Sequence, residues 1–418
     1  LAMLAACSEW PVRQMPPHPS KNASAVSASV SPLQAQFRNQ YYSDVHQAVA
    51  EFLATLSEAQ KAKIQLPYTA DYRQRGYCYV LAQCAEFPGL QLRDMTAIQK
   101  IALNQLLMKS LSGAGYSRAI QIMNREYLLE EMESKYFENP AQFPVVGDAN
   151  KPDWQPPARR GGDAYYLAIF GDYESNEPWG IRFEGHHLSL NINVQKGHGQ
   201  RGARVQVSPF FYGASPVIVP QAPAGTSRWQ QEEGQQLLLR EAWLARRALQ
   251  AMRADQRQKG EWNQLPGAAL DGGTEVPRVD PSAYLNGANP GVSLRELEPM
   301  QQALMMRFVD EFLQTQSADA ANFDVVRNDI QQGRVWWFGD WRDLHGEFYV
   351  RIQSHGYLIE LLQANTFGLK SEIEGNHIHA SFRNLQSDWN VNPLGRHIKM
   401  HHMKKHHMEM HHVESDGE

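Results

Sequence analysis

The stretch Asn376-His377-Ile378-His379-Ala380-Ser381-Phe382 alternates polar and apolar residues with the period of a β-strand. That period sends Ile378, Ala380 and Phe382 into a core and turns His377, His379 and Ser381 to the opposite face. Two imidazoles two residues apart on one strand face can ligate a single divalent ion. A second histidine pair, His186-His187, follows Glu184-Gly185 inside the long strand signal from Trp179 to Val194. A hairpin turn at Glu184-Gly185-His186 places His187, Ser189 and Asn191 on one face and Leu188, Leu190, Ile192 and Val194 on the other. The plainest reading of such a polar row is a solvated sheet face, although histidine is a rare choice for one. Glu360 stands alone in the apolar run Tyr357-Leu358-Ile359-Glu360-Leu361-Leu362. A carboxylate there needs either a partner, with Arg351 the candidate, or a cation. Convergence of His187, His377, His379 and Glu360 would make a metal site. The set Glu184, His186, His187, Arg351 and Glu360 could instead supply the base and anion clamp of an enzyme.

The last stretch of the chain carries the densest ligand chemistry. It reads His397-Ile398-Lys399-Met400-His401-His402-Met403-Lys404-Lys405-His406-His407-Met408-Glu409-Met410-His411-His412. On a helix, His397/His401, His402/His406 and His407/His411 each stand four apart and could chelate. His412 completes the last pair. Imidazole with thioether suits copper, and imidazole alone suits zinc or nickel. An affinity tag is the plainer alternative, but interleaved Met, Lys and Glu argue against one. Such a composition is expected to lack a packed core of its own.

Whole-chain properties exclude several functions. The 418 residues carry a net charge of -5, so nothing like the basic footprint of a nucleic-acid-binding protein is present. No apolar run approaches the roughly 20 residues of a membrane-spanning helix. There is no phosphate-cradling Gly-Lys-Ser loop, no Gly-x-Gly-x-x-Gly joining a strand to a helix, no Gly-x-Ser-x-Gly and no His-Glu-x-x-His. Leu4-Ala5-Ala6-Cys7 resembles the cleavage box of a bacterial lipoprotein, with Cys7 as the lipidated residue. That resemblance implies attachment to the bacterial cell envelope, facing the periplasm or the exterior, with lipid as the sole membrane contact. Residues 1–34, rich in Pro, Ser and Ala, then read as a signal remnant and flexible tether. Cys78 and Cys84 are either two buried thiols or a short-loop disulfide.

Helical periodicity predicts a helix over Leu33–Ala62. A second, capped by Thr96, runs through Ile98–Leu111, and a third from about Ser117 to Ser134. Further helices are expected at about 230–252, 293–313 and 318–332, with strands between. Two blocks align in one register. Gly89-Leu90-Gln91-Leu92-Arg93-Asp94 matches Gly291-Val292-Ser293-Leu294-Arg295-Glu296, and Phe170-Gly171-Asp172 matches Phe338-Gly339-Asp340. Ile181-Arg182-Phe183 then matches Val350-Arg351-Ile352, His186 falls on His355, and Asn191 on Glu360. The expectation is an α+β protein built by internal duplication. Two units, each helices and then an antiparallel hairpin, would pack about a pseudo-two-fold axis as one large domain over residues 35–396. The halves divide near 216/217, and residues 397–418 form a tail.

At these residues the chain resembles the DUF3500 family, a domain of unknown function. The matching motifs are Trp179-Gly180, Phe183 to Asn191, Phe211 to Pro216, Phe348 to Ile352, Leu358-Ile359-Glu360 and Asn376 to His379. The resemblance covers most of residues 40–397 and implies no activity. After Glu360 the chain departs from the pattern with Leu361-Leu362-Gln363. The residues therefore lead to an extracytoplasmic lipoprotein that binds a transition metal, copper before zinc or nickel. Two other readings stand beside it: a metal-dependent hydrolase or oxidase, and a surface module that contacts a protein partner.

Overall fold

A computed structural model describes residues 31–68, 87–138, 145–146, 161–197, 202–263, 291–319, 322–364, 368–369 and 375–388. Cys7, Cys78, Cys84 and the histidines from His397 to His412 lie outside the described residues. The fold is α+β, with one large sheet and helices against it. Among the described residues no helix is long and apolar enough to cross a membrane.

Two helices open the described chain, α1 (Pro32–Ala54) and α2 (Glu58–Ile64). They replace the single helix expected over Leu33–Ala62. The break falls at Ser57, whose side chain caps α2 in a capping box with Gln60. Short strands β1 (Gln65–Leu66) and β2 (Leu90–Gln91) precede α3 (Ala97–Ser110), which Thr96 caps as expected. Helix α4 (Gly113–Glu138) begins at Gly113, earlier than its periodicity indicated. A strand pair partner, β3 (Val145–Val146), then leads to β4 (Tyr166–Phe170), β5 (Trp179–Gly185), β6 (Leu188–Gln195) and β7 (Arg204–Ala214).

The second half has α5 (Arg228–Glu232), α6 (Leu239–Gln250) and α7 (Ala254–Gly260). The expected helix over 230–252 is interrupted where Leu238 takes a left-handed conformation, φ 62. There follow β8 (Val292–Ser293), α8 (Pro299–Leu313), α9 (Phe323–Ile330), β9 (Arg334–Gly339), β10 (Phe348–Gln353), β11 (Tyr357–Ala364), β12 (Gly368–Leu369) and β13 (His377–Asn384).

Strands run across the large sheet in the order β1-β4-β5-β6-β7-β13-β11-β10-β9-β8, with β2 also on β4. The order reads alike from both ends, and the seam is β7 against β13. There Phe210 pairs with Phe382, and their rings stack 5.3 Å apart. Registers agree between halves. Arg182 faces Asn191 across β5–β6 as Arg351 faces Glu360 across β10–β11. Helix packing agrees too. Gln99 donates to the Thr55 carbonyl at 2.9 Å and to Gln60. Gln301 donates to the Ala251 carbonyl at 2.9 Å and to Gln256.

One sheet face carries the hydrophobic core. Ile181 and Phe183 of β5, Leu190 and Ile192 of β6, Val350 and Ile352 of β10, and Ala380 and Phe382 of β13 pack with Val49 and Phe52 of α1 and Phe308 and Phe312 of α8 in one cluster. A register shift between β6 and β7 falls at Leu190/Ile192. It lets Val205 and Val207 share the core face with Phe210 and Tyr212, which simple alternation would forbid. The opposite face is polar, but it is buried. Arg182, Glu184, Ser189, Asn191, Arg351, Glu360 and Ser381 are all at most 4% exposed. The solvated-face expectation is therefore corrected, and Trp262 contributes to the cover by stacking on Trp336 and Tyr349.

Candidate metal centre

The β5–β6 hairpin turns at His186-His187, since Gly185 pairs with Leu188. The turn therefore lies later than the expected Glu184-Gly185-His186, and Glu184 is a strand residue. His187 adopts φ 61, a left-handed conformation that hairpin loops usually assign to Gly or Asn. Two hydrogen bonds hold the tip. The Tyr165 hydroxyl donates to the His186 carbonyl at 2.6 Å, and Gly213 N–H donates to the His187 carbonyl at 2.7 Å. Gly213 also leaves the space that the His187 ring occupies. A Cβ there would come within 2.6 Å of His187 Cδ2 and 3.1 Å of His379 Cδ2.

Strand β13 brings the other two rings. Register pairs His379 with Gly213, so β7 presents no side chain between His379 and the hairpin tip. The ring centroid of His379 lies 4.4 Å from that of His377 and 5.6 Å from that of His187. His187 Nε2 and His377 Nε2 are 3.0 Å apart. Two imidazole nitrogens bound to one tetrahedral zinc at about 2.0–2.1 Å stand about 3.3–3.4 Å apart. The observed separation is thus close to that of neighbouring ligands on one ion. One ligand atom from each of His187, His377 and His379 fits within 4.8 Å of the others. His187 and His379 are buried and His377 is partly exposed.

Behind His187 stands Glu126 of α4, 1% exposed. Its Oε1 lies 2.8 Å from His187 Nδ1, and its two oxygens lie 2.9 and 2.8 Å from His186 Nδ1. Burial alone would raise the Glu126 pKa, but the charges and hydrogen bonds of the two imidazoles outweigh it and hold the carboxyl well below its usual range. An ionised Glu126 accepts a hydrogen bond from His187 Nδ1–H, and when the ring is neutral this leaves the lone pair on Nε2, the nitrogen that faces His377. Carboxylates stand behind metal-ligating histidines in this way. Glu126, His186 and His187 form a second group whose ligand atoms fit within 4.8 Å. Helix α4 is itself anchored beside Glu126, where Arg125 donates to the Pro216 carbonyl at 2.6 Å.

Glu126 did not figure among the expected site residues, yet the sequence contains a signal for it. Ala119, Ile122, Glu126, Leu129 and Glu133 follow the helical period, and all five are buried. A carboxylate in the apolar stripe of a helix calls for a partner. Nothing local names that partner, which lies 60 residues away.

The other expected residues are placed elsewhere. Glu184 pairs with Arg182 at 2.8 Å and accepts from Ser189, and burial raises its pKa. Glu360 does not join the histidines. The Tyr349 hydroxyl donates to its Oε1 at 2.6 Å and Arg351 lies 3.4 Å from the same oxygen. Arg351 also donates to Gln353. Both acidic residues lie on the polar sheet face with His379, while His186 turns to Glu126. An open cleft of about 480 Å³ in the second half is lined by Arg257, Glu261, Trp341 and Arg342, with no histidine.

No curated protein and no solved structure shows significant similarity to the chain. The family profile described as a protein of unknown function (DUF3500) matches residues 38–391, which include every residue of the two histidine groups. The chain belongs to the DUF3500 family.

Proposed function

We propose that this protein binds a late first-row transition metal ion through His187, His377 and His379, with Glu126 positioning His187. One observation carries the reading. His187 Nδ1 is engaged by a buried carboxylate while its Nε2 stands 3.0 Å from His377 Nε2, so that two ring nitrogens converge on one point. Copper(II) is the first candidate, because three-imidazole donor sets favour it over zinc or nickel in intrinsic affinity. The His/Met tail, from His397 to His412, supplies further copper ligands for capture. The lipoprotein-like sequence around Cys7 accords with a function in the cell envelope.

We also infer that the two halves descend from one duplicated unit. The matched sheet order and the paired Gln99 and Gln301 contacts support this. In that frame the metal site belongs to one tip only.

Metal content after incubation with copper and exhaustive dialysis tests the binding reading. Three full-length proteins suffice: wild type, a variant with every histidine from His397 to His412 replaced by Ala, and the latter with His187→Ala and His377→Ala added. The tail variant should keep tightly held copper and the last should lose it. Trace copper in the tail variant would sink the folded site.

A further inference from the structure

We infer that His187 is a bridging ligand, and that the histidine cluster is a two-ion site in which one imidazole serves both ions. This rests on the metal-binding reading above and extends it. The two histidine groups share one residue, His187. They use its opposite ring nitrogens. Nε2 faces His377 at 3.0 Å, and Nδ1 faces Glu126 Oε1 at 2.8 Å. On the Nδ1 side, His186 Nδ1 lies 2.8 Å from Glu126 Oε2, and the His186 and His187 rings are 3.6 Å apart between centroids. A carboxylate oxygen and two imidazole nitrogens are thus gathered as one acidic and two neutral donors, a set suited to copper or zinc.

The chemistry balances as ligand exchange. The first ion takes His187 Nε2, His377 and His379. A second divalent ion then takes the place of the His187 Nδ1 proton, which leaves to solvent, and binds His186 through Nδ1 while the proton of that neutral ring passes to its Nε2. His187 remains as an imidazolate and His186 as a neutral imidazole. Two divalent cations against one carboxylate and one imidazolate leave the cluster with a net charge of two. The left-handed tip conformation and Gly213 beneath the ring present both nitrogens of His187 at once.

The full-length chain with the tail histidines replaced by Ala, and its His186→Ala and Glu126→Gln derivatives, test the bridge. Copper(II) is the probe, read by metal content and by electron paramagnetic resonance. The parent should hold two coppers per chain with a spin count well below its copper content, because an imidazolate couples the two spins. His186→Ala and Glu126→Gln should each hold one copper with full spin. Thermal unfolding of the metal-free proteins shows which variants fold, and Glu126→Gln preserves the shape of the site if His186→Ala fails. One copper in the parent, unchanged in both derivatives, would overturn the bridge and leave the three-histidine site standing. Two coppers with full spin would also overturn it. No bound copper in the parent would remove the metal reading and the bridge together.

Discussion

The two hairpin tips of the sheet occupy equivalent places and are chemically unlike. Each is the loop of a β-hairpin, and each receives a carboxylate from the last described helix of its half. At the β5–β6 tip the carboxylate is Glu126, 1% exposed, and it meets two imidazoles. At the β10–β11 tip it is Asp329 of α9. It accepts from the Ser354 hydroxyl and from the Gly356 N–H at 3.1 Å. The registers align His186 with His355 and His187 with Gly356. His355 is exposed, while His186 is 6% exposed. An aspartate tying a turn is an ordinary structural device. A fully buried carboxylate shared by two histidines, with a third and fourth imidazole beyond them, exceeds what holding a turn requires. The difference separates the scaffold, common to both halves, from chemistry confined to one.

The comparison can be broken by removing each carboxylate. Glu126→Ala leaves two buried imidazoles without their acceptor and should destabilise the metal-free protein by about 3–5 kcal/mol, the range for breaking a buried charged pair. Denaturant unfolding measures this, and an effect no larger than that of Asp329→Ala would erase the distinction between the tips. Gly213→Ala should cost about 1–3 kcal/mol through overpacking against His187 and His379, and metal retention should fall with it. Asp329→Ala should cost about 1 kcal/mol, the scale of a hydrogen-bonded turn that water can partly replace, with metal content unchanged. His355→Ala should lie within about 0.5 kcal/mol of wild type, as exposed substitutions do.

Acid titration sharpens the same contrast. The Glu126 pKa is lower in the folded protein than the ordinary value of 4.5. The folded state therefore binds fewer protons than the unfolded state as pH falls through that value. The contribution of Glu126 is fully present above about pH 4.5 and is lost progressively below it. Unfolding measured from pH 7 to pH 3 should show a shallower acid limb for Glu126→Gln than for wild type. Equal slopes would mean that the two histidines do not favour the ionised carboxylate.

Much of this was readable along the chain because it is periodic or local. The alternation in Asn376–Phe382 placed His377 and His379 on one face. Thr96 marked a helix start, and the paired registers of Arg182/Asn191 and Arg351/Glu360 followed from aligned motifs. The Arg351–Glu360 contact was one of two expected fates for Glu360. What escaped was long-range or packing-dependent. The hairpin turn was misplaced because His187, a residue not usual at positive φ, takes the position that a glycine signal would have marked. Sheet-face burial is a tertiary property, and an alternating strand looks the same whether water or protein covers its polar side. Glu126 was hidden because its partners stand 60 and 61 residues away.

The histidine cluster joins distant parts of the chain, since His187 and His377 are 190 residues apart. His187 comes from the β5–β6 hairpin, but two of the three histidines arrive with β13, the last described strand, after β7 is in place to receive it. Closing so long a loop is slow relative to forming local hairpins. During synthesis and folding the first-half tip would hold Glu126, His186 and His187 well before His377 and His379 dock beside them. An ion requiring all three histidines can be captured only by a chain that has finished folding, so tight metal uptake would serve as a readout of completed assembly at the seam.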